Sequence, residues 1–163
     1  MHTFIDSPIG TLLATADERG RLTGLHMQDG RHPAPVPSEG RRDDSAFAEL
    51  RTQLAEYFAG HRREFSLELA PAGGEFERRV WAALREIPYG ETASYGEIAR
   101  RIGAPGAARA VGLANGRNPI AVIVPCHRVI GADGGLTGYG GGLERKRLLL
   151  DLEAGVLPLV ETG

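Results

Sequence analysis

The sequence predicts an α/β fold of the α+β kind. A small N-terminal sheet-plus-helix domain over 1–72 packs on a mainly helical C-terminal domain over 73–163, which carries a helix-turn-helix and the chain's one cysteine. Three observations predict it. Short apolar runs separated by turn residues fill the stretch from Thr3 to Met27, as strands do. Beyond Glu75 the apolar residues recur at helical spacing instead. Between the two textures, Pro71-Ala72-Gly73-Gly74 interrupts both patterns and reads as a boundary.

Taken in order, Phe4-Ile5 and Leu12-Leu13 flank the turn signal Ser7-Pro8-Ile9-Gly10, and Arg19-Gly20 marks a second turn before Leu22 to Met27. Residues 29–42 have no periodicity, three prolines and mixed charge, so a loop is expected. Asp44 or Ser45 can cap a helix whose apolar positions are Phe47, Leu50, Leu54, Tyr57 and Phe58, and Gly60 ends it. Phe65, Leu67 and Leu69 alternate like a half-buried strand.

In the second half, a helix over 75–86 aligns Phe76, Val80, Leu84 and Ile87, and Pro88-Tyr89-Gly90 stops it. Ser94 followed by Glu97 is a capping box that opens a short helix with Ile98 and Ile102 inward. Gly103, Pro105 and Gly106 make a tight turn into a second short helix over 107–115, rich in Ala and Gly. Short paired helices with a glycine-bearing turn suggest helix-turn-helix, the later helix being the reader. Arg109 stands alone among small residues there and can reach nucleic acid without steric competition. Asp133-Gly134-Gly135 is a hairpin-type turn. Gly138-Tyr139-Gly140-Gly141-Gly142 is either a linker or a loop whose backbone approaches a flat ligand. A last helix from about residue 143 carries Leu148, Leu149, Leu152 and Glu153, the acid being either at an exposed edge or paired inside.

The chemistry gathers at Pro125-Cys126-His127-Arg128-Val129-Ile130. The β-branched run from Ile120 to Val124 predicts a buried strand leading in, ended by Pro125, and Val129-Ile130 resume it. A lone cysteine is often an inert core residue. A proline before it and ionisable groups after it are poor choices for plain core, and a neighbouring cation favours the thiolate. Cys126 is therefore read as a nucleophile, with His127 as base and Glu153 as orienter. Adjacent residues of an extended segment face opposite ways, so a water between Cys126 and His127 would relay the proton.

Composition bounds the function. At 163 residues, 42% hydrophobic and 25% charged, the chain has the make-up of a soluble globular protein. One cysteine forbids an internal disulfide and a multi-cysteine zinc site. No apolar run spans a bilayer and no signal-peptide pattern opens the chain, so a cytoplasmic setting is expected. The net charge of −2 argues against a general nucleic-acid coat, yet between 94 and 128 five arginines (Arg100, Arg101, Arg109, Arg117 and Arg128) face a single Glu97. Such a patch suits phosphate.

Pro125-Cys126-His127-Arg128-Val129-Ile130, preceded by Ala108-Arg109-Ala110-Val111-Gly112 and Asn118-Pro119 and followed by Tyr139-Gly140-Gly141-Gly142-Leu143 and Leu152-Glu153, resembles the methylated-DNA–protein-cysteine methyltransferase (alkylguanine-DNA alkyltransferase) family. The motifs run from about Phe76 to Glu153, whereas the N-terminal third matches only in element order. The resemblance implies direct reversal of O6-alkylguanine, and of O4-alkylthymine, in double-stranded DNA, by one irreversible transfer to Cys126 after base flipping. It implies no cofactor, no metal and no obligate protein partner. By the same resemblance, His127 takes the thiol proton through water and Glu153 orients it. Asn118 braces the turn before the cysteine, and Tyr139 lines the base pocket and assists the leaving guanine. Arg109 enters the stack, and Tyr95 crowds the phosphate that flips. Ala110, Gly112 and Arg128 join Tyr95 and Arg109 as expected DNA contacts, with the reading helix in the minor groove. Some relatives carry a zinc site built partly from N-terminal cysteines, which this chain lacks. Two other classes compete: a lesion-binding protein without turnover, whose relatives carry tryptophan at the cysteine position, and a cysteine hydrolase.

Overall fold

The computed structural model describes residues 1–28, 34–36, 40–135, 139 and 142–156. Most of the expected loop over 29–42 and glycines 138, 140 and 141 of the glycine-rich segment lie outside the described residues. Three antiparallel strands come first: β1 (His2–Ile5), β2 (Leu12–Ala16) and β3 (Leu22–Met27), side by side in that order. The register sets Leu12 opposite Met27 and Ala14 opposite Leu25, so one face presents a continuous apolar strip. Leu50, Leu54 and Phe58 of helix α1 (Ala48–Phe58) join the same core. Asp43, rather than Asp44 or Ser45, caps this segment, its carboxylate accepting from Ala46 N–H at 3.3 Å across a 3-10 turn. Asp44 is drawn away by the Thr3 hydroxyl, at 2.5 Å, and by Arg42.

The expected strand at 65–69 has the predicted alternating burial but only one bridge, Leu69 to Leu22. The reason lies in the outer edge of β3, which is shared. Leu22 exchanges bonds with Glu68 and Ala70, at 2.9 and 2.8 Å. Farther along, Leu25 N–H donates to Pro119 O at 2.8 Å and Leu25 O accepts from Ala121 N–H at 3.0 Å. The sheet is thereby stitched to the segment that leads into the cysteine.

Helix α2 (Glu75–Arg85) buries Val80, Trp81, Ala83 and Leu84. Trp81 Nε1 donates to Ala114 O at 2.8 Å, and Gly73 lies flat on the indole, where a Cβ would stand 2.5 Å from the ring. Strand β4 (Ala93–Ser94) leads into α3 (Tyr95–Arg101), whose first turn is capped by Ser94 Oγ accepting from Glu97 N–H at 3.1 Å. Gly103 and Gly106, at φ 75° and 93°, turn the chain into α4 (Ala108–Gly116). Strand β5 (Val129–Ile130) pairs in parallel with β4, and α5 (Leu143–Glu153) closes the described chain. Among the described residues no helix is long and apolar enough to cross a membrane.

Candidate active site

The run from Ile120 to Val124 is not a strand. Its β-branched residues favour an extended backbone locally, but the Asn118 side chain folds them back. Asn118 Oδ1 accepts from Ile120 N–H at 3.0 Å, while Nδ2 donates to Val124 O at 2.8 Å. Within that clamp Ile123 N–H reaches Ala121 O at 2.8 Å, forcing Val122 to φ 71°. A β-branched residue there is strained by about 1–3 kcal/mol. Pro125, at φ −81° and ψ 64°, makes an inverse γ-turn closed by Cys126 N–H on Val124 O at 2.8 Å. Cys126 then opens a 3-10 turn (Cys126–Arg128), so its neighbours fan out around the turn instead of alternating as in a strand.

Cys126 is buried, 6% exposed. Burial pushes its thiol pKa up, while the Asn118 side chain and the charge of Lys146 pull the other way. Lys146, wholly buried on α5, donates to Val129 O at 2.6 Å, and burial lowers its own pKa. Tyr139 stands close enough to Cys126 to feel its charge, and burial first, then that charge, push the phenol well above its ordinary range. It stays neutral, and its hydroxyl has no hydrogen-bond partner among the described residues. Asn115 Nδ2 holds Cys126 O at 3.4 Å.

Behind the cysteine, His127 Nε2 meets Glu153 Oε2 at 2.7 Å, both groups fully enclosed. The opposite ring nitrogen, Nδ1, is buried without a partner among the described residues. Glu153 is thus the inside pair of its two readings. Burial alone would raise its pKa, but bonds and charge from His127 and then Arg128 outweigh it and hold the carboxyl at about 2.

Arg128 corrects an expectation. It does not face outward toward phosphate: Nε and Nη2 grip the Glu153 carboxylate at 2.7 and 3.0 Å, and Nη1 donates to Ile87 O at 2.7 Å. Arg128, only 7% exposed, is held as a buried cation by these three bonds and by the Tyr89 ring, 5.7 Å from the guanidinium carbon. The positive patch shrinks to Arg100, Arg101, Arg109 and Arg117, all exposed. Arg109 and Ala110 lie on the open side of α4, and Gly112 sits against Tyr95, whose ring would be 3.8 Å from a Cβ added there.

Lys146, Tyr57 and Asn115 belong to the site and were missed in the sequence. Lys146 had a signal, since it falls three residues before Leu149 and seven before Glu153, on the buried stripe of α5. Tyr57 counted only as an apolar position, although a buried phenol needs a partner. Its hydroxyl donates to Glu153 Oε2 at 2.5 Å. Asn115 gave none, because an asparagine at a helix end reads as a stop.

Fold and site together define a helix-turn-helix protein built round a buried cysteine, with a histidine–glutamate pair behind it. The family model described as "6-O-methylguanine DNA methyltransferase, DNA binding domain" matches residues 75–155, and the one described as its "ribonuclease-like domain" matches residues 1–71. A methylated-DNA–protein-cysteine methyltransferase of Mycolicibacterium paratuberculosis is 61% identical over 149 residues, covering 91% of this chain and 89% of that protein. Its counterpart in Methanosarcina acetivorans is 53% identical over 152 residues, covering 93% and 97%. Among solved structures, Mycobacterium tuberculosis OGT in complex with DNA superposes with a TM-score of 0.89 at 57% identity, covering 96% of this chain and 94% of that one. The chain belongs to the 6-O-methylguanine DNA methyltransferase family.

Proposed function

We propose that this protein repairs alkylated DNA directly, moving the alkyl group from O6 of guanine to Cys126 in one irreversible step. The observation that carries it is the enclosure of the only cysteine between Asn118, Lys146 and Tyr139, with the His127–Glu153 pair behind it and the exposed arginine of α4 on the same half of the chain.

The Cys126 proton passes through a water to His127 Nδ1, the ring nitrogen not engaged by Glu153. The thiolate attacks the alkyl carbon; the S–C bond forms as the C–O6 bond breaks, and its electron pair leaves on the guanine. Tyr139, a neutral phenol whose hydroxyl has no partner among the described residues, donates to that leaving base. The lysine ammonium and the Asn118 amide offset the charge on sulfur during attack. Nucleophile, base and leaving-group donor all come from the chain and the relay adds only a water, so the step needs no cofactor. The product is a thioether, which has no exit under mild conditions, so each molecule acts once.

Double-stranded DNA is the partner, docked through α4 in the minor groove. The M. tuberculosis relative solved in complex with DNA supports DNA as the partner. A buried O6 is reached only by extruding the base. Arg109 fills the vacated stack, Tyr95 crowds the phosphate, and Ala110 and Gly112 let the backbone come close. Arg128 works inside the protein, as the anchor of Glu153. O4-alkylthymine presents the same alkyl ether and is a second substrate. The division into domains over 1–72 and 73–163 and a cytoplasmic site of action belong to the same proposal, the latter because an unpaired, reactive thiol suits a reducing compartment.

Intact mass after incubation with duplex containing O6-methylguanine tests it: a gain of one methyl per chain, absent from Cys126→Ser although that variant still binds DNA. A hydrolase would turn over many equivalents without a stable gain, and a mere lesion binder would show none.

A further inference from the structure

Glu153 Oε2 accepts from donors on separate parts of the chain: the Tyr57 hydroxyl at 2.5 Å, His127 Nε2 at 2.7 Å and Arg128 Nη2 at 3.0 Å. Two of these lie within the 3-10 turn that holds the cysteine. Tyr57 comes from α1, 96 residues before Glu153. It is wholly buried, its ring set edge-on to Phe58 and Tyr89 at 5.3 and 6.2 Å, so the hydroxyl is fixed on the carboxylate. A carboxylate oxygen shared among more donors is less basic and draws less strongly on any one of them. The donor added by α1 therefore weakens the hold of Glu153 on the proton of His127 Nε2, while Nδ1 is buried without a protein partner among the described residues.

We propose that Tyr57 is a positioning residue for alkyl transfer: through Glu153 it sets the pH range in which His127 accepts the Cys126 proton. The inference rests on the repair reading above and makes the first half of the chain part of the relay. Arg128 and Tyr57 touch Glu153, Tyr89 lies within its field with Arg63 stacked 5.4 Å over its ring, and Lys146 and Tyr139 face the sulfur.

The experiment is the single-turnover rate of alkyl transfer from free O6-benzylguanine, followed by intact mass from about pH 5 to about pH 9. The free base removes flipping from the measurement. In Tyr57→Phe the acid limb moves to higher pH by roughly one unit, because a carboxylate with one donor fewer is more basic and draws harder on its remaining donors. The rate on the alkaline side stays within about twofold. Site-specific 3-fluorotyrosine at position 57, a stronger donor of nearly the same shape, moves the limb the other way, and it carries the test if the phenylalanine variant folds poorly. An equal loss of rate at every pH with an unmoved midpoint, or no change with either replacement, overturns the proposal. Failure of the repair reading shows separately, as wild-type protein that gains no benzyl mass at any pH.

Discussion

Replacing Glu153 by glutamine keeps the shape of the side chain and removes its charge. Ionised, Glu153 accepts bonds at 2.5, 2.7, 2.7 and 3.0 Å from Tyr57, His127 and Arg128. The folded protein lowers its pKa from 4.5 to about 2, a difference worth about 3 kcal/mol. Because the folded value is the lower one, this stability is complete above the unfolded value and is lost as the pH falls through the folded one. More than half of it is gone by about pH 3. Glu153→Gln has no such titration and leaves the buried Arg128 guanidinium without its counter-charge, a loss of about 3–5 kcal/mol for a broken buried pair. Urea unfolding followed by the fluorescence of Trp81, the single tryptophan, measures both proteins at stepped pH. The variant should be less stable by about 3 kcal/mol at neutral pH, and the gap should narrow steadily below about pH 4.5. A gap that does not change with pH, or one below about 1 kcal/mol at neutral pH, refutes the reasoning, because the carboxylate would then not be held ionised by its partners.

Arg109→Ala should slow transfer from methylated duplex by one to two orders of magnitude or so while sparing reaction with the free benzylated base, since only the duplex requires flipping, at roughly a few kcal/mol; equal losses on both substrates would show that the exposed guanidinium does not fill the stack. Lys146→Gln keeps a donor toward Val129 O but removes the charge facing sulfur, so transfer should slow roughly tenfold with either substrate and its pH optimum should rise. The methylated protein should melt below the free protein and the benzylated one lower still, because one extra carbon in a close-packed site costs about 1–3 kcal/mol; an unchanged melting temperature would mean the pocket has spare room.

The strands and helices were legible because their apolar residues keep one period: Leu12, Ala14, Leu25 and Met27 across the sheet, Val80 and Leu84 along α2, Leu149 and Leu152 along α5. The cysteine, its histidine and the acid were legible as residue types that a plain core avoids. The path of the chain at Val122 was not. Extended propensity is a local average, whereas its positive φ is imposed by the Asn118 clamp and by the pairing of its neighbour Ala121 with Leu25, a contact between residues far apart in sequence. Arg128 misled for a related reason. A guanidinium in a basic stretch looks like surface, and the acceptors that bury it, Glu153 and Ile87 O, are 25 and 41 residues away. Tyr57 showed only its ring to periodicity, not the carboxylate awaiting its hydroxyl.

Burial and activation of Cys126 pull in opposite directions, and the fold answers both through the backbone. A thiol enclosed to 6% exposure is shielded from solvent, but enclosure also pushes its pKa up, away from the reactive form. Exposing it would lower that barrier at the expense of shielding. The structure instead keeps it enclosed and fixes the groups that favour its charge. Asn118 spans the loop from Ile120 to Val124, Asn115 holds the Cys126 carbonyl, and Lys146 holds the Val129 carbonyl three residues on. Each of these three side chains is therefore tied to the loop that carries the cysteine or to the backbone just beyond it. The strain at Val122 persists only because those ties and the edge of β3 leave the loop no other course. A catalyst that must release product many times needs a site that opens and closes. A protein that reacts once does not, and a rigid, strained, fully tied loop is what that single event permits.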